Sequence, residues 1–74
     1  MKKTIYSEEH KHTVKQLIKA REKANLNQEA VARLLGKTQS FVSKLEAGQR
    51  RIDLVQLKEF ARIYKKSLTY FISR

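Results

Sequence analysis

Residues 27–48, NQEAVARLLGKTQSFVSKLEAG, read as two short helices joined by a tight turn at Gly36–Lys37, and the second helix is unusually polar. Asn27 is a good N-cap for the first, and Glu29 in its first turn complements the positive end of the helix dipole. Val31, Ala32 and Leu35 form its apolar stripe, and Gly36 can take the left-handed conformation that ends it. Thr38 then caps the second helix, whose buried positions are Val42 and Leu45, with Phe41 at the flank. Ser40, Ser43, Lys44 and Ala47 are left facing outward.

That outward face is small and hydrogen-bonding, with a single cation. A helix meant only for solvation normally carries Glu and Lys pairs instead. A helix that enters a DNA major groove needs short polar side chains and few negative charges, because base edges are read by donors and acceptors beside a wall of phosphates. The pair is a helix-turn-helix. Composition agrees: 17 Lys plus Arg against 7 Asp plus Glu give a net charge of +10, and the pI is about 10.2. Such an excess favours a polyanion through counterion release. Charge alone does not choose nucleic acid over an anionic membrane surface; the helix pair does.

The rest of the chain fits one small all-α domain of 74 residues, near the lower size at which a single core suffices. Proline and cysteine are absent, so there is no disulfide framework or thiolate metal site, and a cytoplasmic setting fits. No apolar run approaches a membrane span or a signal peptide. Residues 1–6, MKKTIY, are expected to form a flexible basic arm carrying Lys2 and Lys3, and residues 7–74 the domain. Ser7 with Glu8 and Glu9 opens helix 1, which should bury Val14, Leu17, Ile18 and Ala24 and end near a left-handed Asn25. After Gly48 comes a basic loop, then Asp53 caps helix 4 with core face Leu54, Leu57, Ala61 and Tyr64. Ser67 opens a last short helix carrying Leu68, Phe71 and Ile72.

The segments IKAREKANLNQ (18–28), LLGKTQSFVSKLEAG (34–48) and RRIDLVQLKEFARIY (50–64) resemble the phage-repressor and Cro-like helix-turn-helix proteins, the XRE family, over roughly residues 14 to 72. The resemblance implies a five-helix, lambda-repressor-like DNA-binding domain, with helices 2 and 3 forming the helix-turn-helix. The pattern's Gln at the start of helix 2, Gly in the turn and Glu-x-Gly at the end of helix 3 are here Gln28, Gly36, Glu46 and Gly48. Two positions depart from it. Ile52 stands where a proline is common before helix 4. Lys65 stands where a glycine commonly ends that helix, so either a left-handed Lys at a cost of about 1 kcal/mol or a helix running on through Lys66 is expected.

The resemblance also implies roles. Gln39 and Ser40 occupy the turn of helix 3 where family members contact base edges; a Gln amide can bridge N6 and N7 of adenine. The bland alternative for Gln39 is solvating the turn. Lys44, one turn along, is placed for guanine O6/N7 or for a phosphate, and Ser43 for phosphate or sugar. Phe41 is better suited to half-buried packing than to a thymine methyl. Gln28 resembles the family's phosphate clamp, with an ordinary first-turn residue as the alternative. Lys37, Arg50 and Arg51 are placed to meet phosphates. Arg21 and Glu46 occupy positions that form an ion pair between helices 1 and 3 in the family, which makes Glu46 scaffold rather than catalyst.

Catalysis is not expected. Glu8 and His12 lie four apart and could share a metal, but nothing nearby completes a site, and neither a nucleophile–base pair nor a phosphate loop is present. No cofactor, metal or small-molecule effector is expected. The reading is a transcriptional repressor or controller binding a two-fold double-stranded DNA operator as a homodimer. An antitoxin with a toxin protein as partner, or a helical protein-interaction adaptor, are the alternatives; a toxin would be expected to use an extension, of which this sequence shows scarcely any. The apolar residues Leu68, Phe71 and Ile72, with Tyr70 alongside, outnumber what a short terminal helix can hide. Leu68 and Phe71 can pack inward against Tyr64 and helix 1. The remainder, joined by Ile63 on helix 4, mark the expected dimer interface, for which Ile63, Leu68, Phe71 and Ile72 are the candidates.

Overall fold

Five side chains start five helices. Ser7, Asn27, Thr38, Asp53 and Ser67 each accept a hydrogen bond from the backbone N–H three residues on, at 2.7–3.4 Å. Each satisfies one of the amides that a helix leaves unpaired at its start. At Asp53 the cap is reciprocal, since the Gln56 side chain accepts from the Asp53 N–H at 3.2 Å. The helices are α1 (Glu8–Lys23), α2 (Gln28–Leu35), α3 (Gln39–Glu46), α4 (Leu54–Tyr64) and α5 (Leu68–Ile72). The structure, a computed structural model, describes residues 7–73, and among these there is no strand. The basic arm expected at residues 1–6 lies outside the described residues.

The first four helices end alike. A residue of positive φ reverses the chain: Asn25 (60°), Gly36 (71°), Gly48 (78°) and Lys65 (58°). The next N–H then reaches back to a carbonyl inside the helix: Leu26 to Arg21, Lys37 to Ala32, Gln49 to Lys44 and Lys66 to Ala61, at 2.8–3.2 Å. These bonds close the end of each helix onto the carbonyls of its last turn. Lys65 is therefore left-handed, and α4 does not run on through Lys66.

The core gathers at the centre of all five helices, with Leu17, Val31, Val42, Leu45, Phe60 and Phe71 at most 1% exposed. Three expected core positions are corrected: Ile18, which is only half-buried, Leu54 and Ala24. Leu54 is 60% exposed and Phe60 is buried instead. The stripe of α4 is Leu57, Phe60, Ala61 and Tyr64, and Leu54 and Val55 in the helix's first turn stay exposed. Ala24 is exposed because it is already the C-cap of α1, so Ala20, one turn earlier, takes the buried place.

The C-terminal helix is drawn into this core more fully than its composition suggests. Phe71 is 0% exposed, with Tyr64 at 6.5 Å and Tyr70 edge-on at 5.0 Å between ring centres. A polar row on α1 fastens the end of α5. His12 Nε2 donates to the Ser73 carbonyl at 2.6 Å, Thr13 Oγ1 to Phe71 at 3.0 Å, and Gln16 Nε2 to Tyr70 at 3.2 Å. Of the two places open to Phe71, the core and the exposed interface, it takes the core, so it is corrected as an interface candidate. Ile63 and Leu68 are half-buried against the same core, and Ile72 keeps 55% of its surface exposed.

Candidate DNA interface

The turn between α2 and α3 is as short as a left-handed glycine allows. Gly36 closes α2, Lys37 follows, and Thr38 caps α3 through a bond from the Phe41 N–H at 3.2 Å. Val42 and Leu45, both fully buried, then fix the roll of α3 about its axis. With those two pinned, Gln39, Ser40 and Lys44 are exposed and Ser43 is half-buried at the edge.

Behind this face lies a chain of side-chain hydrogen bonds. Arg21 donates to Glu46 through Nε (2.7 Å to Oε2) and Nη2 (3.1 Å to Oε1), and its Nη1 reaches the Leu26 carbonyl at 2.9 Å. The pair is two-pronged and well covered: the Arg21 side chain is 15% exposed and that of Glu46 6%. This hydrogen bond to Glu46 raises the Arg21 pKa further, against the opposing effect of burial. Gln28 Nε2 also donates to Glu46 Oε1 at 2.9 Å, and Gln39 Nε2 donates to Gln28 Oε1 at 2.7 Å. Four residues from α1, α2 and α3 form one network that begins in the protein and ends at the exposed first turn of α3. The ion pair was expected from the sequence. The two glutamine links were not, because no signal in a single chain ties Gln28 to Gln39 and Glu46.

A second cluster flanks the turn. Phe41 is half-buried, and two cations lie over its ring: Lys37 Nζ at 5.4 Å and the Arg50 guanidinium at 4.6 Å from its centre. They share an open groove of about 510 Å³ with Ser40 and Lys44. Arg51, next along the loop, is exposed. Lys37, Lys44 and Arg50 thus converge from the turn, the helix and the following loop on one side of α3. This arrangement suits a polyanion whose charges lie outside a polar reading edge. Glu8 and His12 border one open pocket with Lys11 and Lys15, and His12 Nε2 is engaged by the Ser73 carbonyl. Among the described residues no group of three or more His, Cys, Asp or Glu could hold a metal ion, and no helix is long and apolar enough to cross a membrane.

Residues 17–71 match the model of a helix-turn-helix family. Neither a search of the curated proteins nor one of the solved structures found a match. The family match spans most of the chain and contains the capped turn, the polar face of α3 and the Arg21–Glu46 pair. The chain belongs to the XRE-type, Cro/C1-like family of helix-turn-helix DNA-binding transcription regulators.

Proposed function

We propose that this protein is a sequence-specific repressor or controller of transcription that binds a pseudo-palindromic operator as a homodimer in the cytoplasm. The observation that carries this reading is the exposed first turn of α3. There Gln39 and Ser40 stand free of the core, with Lys37, Lys44 and Arg50 gathered beside them. In this reading Gln39 and Ser40 touch base edges, and Lys44 reaches a guanine or a phosphate. Lys37, Ser43, Arg50 and Arg51 meet the backbone, as does Gln28 through the amide hydrogen it does not give to Glu46. The dimer forms at the C-terminal end, through Ile72 with the exposed parts of Ile63 and Leu68.

Selection of sites from a pool of randomised duplex DNA tests the reading directly. The expected product is a site with two inverted halves, centred about 10 base pairs apart. Affinity for it should fall steeply with salt, each neutralised phosphate adding roughly −0.9 to the log–log slope. Arg50→Ala with Arg51→Ala should flatten the slope and weaken selected and random DNA alike. Gln39→Ala should leave the slope nearly unchanged and cost about 1–3 kcal/mol on the selected site only. Equal loss on random DNA would remove the base-reading role. A pool from which nothing is enriched would remove sequence-specific recognition altogether.

A further inference from the structure

The amide of Gln39 is not free to choose its orientation, and the constraint comes from inside the protein. Glu46 is a carboxylate with a side chain only 6% exposed, and a carboxylate accepts hydrogen bonds without donating. Its oxygens take two N–H groups from Arg21 and one from Gln28. The Gln28 amide must therefore turn its nitrogen toward Glu46, which leaves its Oε1 pointing the other way. That oxygen also only accepts, so the Gln39 amide must meet it with nitrogen, at 2.7 Å. One N–H of Gln39 is then committed, and the second N–H and Oε1 remain on the exposed turn in one fixed order.

The order matters because a glutamine amide is nearly symmetric in shape and opposite in chemistry at its two ends. Rotation about its last torsion is soft and roughly two-fold, so an unrestrained glutamine offers donor–acceptor and acceptor–donor alike. Adenine presents its N7 acceptor and its N6 donor side by side in the major groove, and a bidentate partner must match them end for end. We propose that Glu46 is a positioning residue for base recognition. Acting through Gln28, it fixes the order in which Gln39 shows donor and acceptor to the groove. The proposal rests on the reading of Gln39 as a base-contacting residue. It gives the buried ion pair a second role: two hydrogen bonds from Arg21, itself anchored on the Leu26 carbonyl by a third, hold the carboxylate that sets the polarity of both amides.

The test uses the full chain and the site that wild-type protein selects from randomised duplex DNA. Affinity is measured for that site and for its variants carrying each of the other base pairs, position by position, with wild type, Gln39→Ala, Gln28→Met and Glu46→Gln. Glu46→Gln brings a donor into the cluster and frees Gln28 from its enforced orientation. Gln28→Met cuts the relay without touching the Arg21–Glu46 pair. Both should reduce discrimination about tenfold at the one base pair where Gln39→Ala reduces it, and leave the ratios at other positions unchanged. Any hydrogen bond that Gln28 gives to a phosphate strengthens binding to every variant site alike, so its removal does not alter a ratio. If Gln28→Met and Glu46→Gln keep the wild-type preference while Gln39→Ala loses it, the relay is overturned and the base-reading role stands. A loss spread evenly over every position means a purely structural role and also overturns it. If Gln39→Ala leaves all preferences intact, the base-reading role fails and the relay fails with it. Should Glu46→Gln not fold, Gln28→Met decides alone.

Discussion

Glu46 and Tyr64 are neighbouring polar groups treated in opposite ways by the fold. Glu46 is satisfied three times over, and removing it leaves the Arg21 guanidinium largely covered and short of two acceptors. Losing one partner of a fully buried pair costs about 3–5 kcal/mol; with Arg21 still 15% exposed, about 2–3 kcal/mol is expected for Glu46→Ala. In a domain this small that is a drop of roughly 10 °C or more in melting temperature. Glu22→Ala, on the exposed side of α1, should shift it by no more than about 0.5 kcal/mol. Equal small shifts in the two melting curves would contradict the structural role. The Tyr64 hydroxyl, by contrast, is buried without a hydrogen-bond partner among the described residues. Burial first, and Glu46 second, push its pKa well above the ordinary value of about 10. The folded state therefore holds this proton more tightly than the unfolded chain does. Stability linked to it is intact below about pH 10 and is lost as pH rises beyond that. Tyr64→Phe should be neutral or up to about 1 kcal/mol stabilising at pH 7, because it removes an unpaired buried group. Compared with wild type by melting at pH 8 and pH 11, its relative advantage should grow.

At the scale of elements, the domain is assembled from caps rather than from long regular stretches. Four helices end on a left-handed residue, and two of those residues have a Cβ, Asn25 and Lys65. Asn tolerates that region, whereas Lys is strained there by about 1 kcal/mol. The strain persists because Lys66 N–H gains the Ala61 carbonyl at 2.9 Å and the chain is turned so that Ser67 can cap α5. Lys65→Gly should relieve it. Part of the gain is offset by the added freedom of the unfolded chain, so a net stabilisation of about 0.5–1 kcal/mol is expected. A melting temperature lowered by this substitution would mean that the Lys65 side chain contributes more than its backbone costs.

For the molecule as a whole, the open question of assembly turns on which apolar groups the core has already claimed. Phe71→Asp would place a charge in a fully buried site beside Tyr64 and should abolish folding, so it is no probe of dimerisation. Ile72→Asp should leave the fold intact and shift sedimentation at micromolar concentration toward the monomer, with weaker binding to a two-fold site. Val55→Asp is the control at another exposed apolar place, the start of α4, where Leu54 is 60% and Val55 67% exposed. If Val55→Asp dissociates the protein and Ile72→Asp does not, the seam lies at α4 and the proposed C-terminal contact is wrong. In either geometry two recognition helices must reach successive major grooves about 34 Å apart.

The division between sequence and tertiary structure follows from the range of the interactions involved. All five caps, the turn at Gly36 and the polar face of α3 were legible because each depends on residues no more than four apart, where backbone geometry enforces contact. The buried stripes of α2 and α3 were legible for the same reason. Helical spacing could not say how far a stripe stays covered, so Leu54 and Ala24 looked internal although both are exposed at helix ends. Composition likewise left Phe71 between the core and an interface, and only the packing of α5 on α1 and Tyr64 decided for the core. The links from Glu46 to Gln28 and from Gln28 to Gln39 join helices whose relative placement is set by the packing of Leu17, Val31, Val42 and Leu45. A hydrogen bond between side chains 11 or 18 residues apart exists only once that packing has brought the helices to within 3 Å of one another's amides.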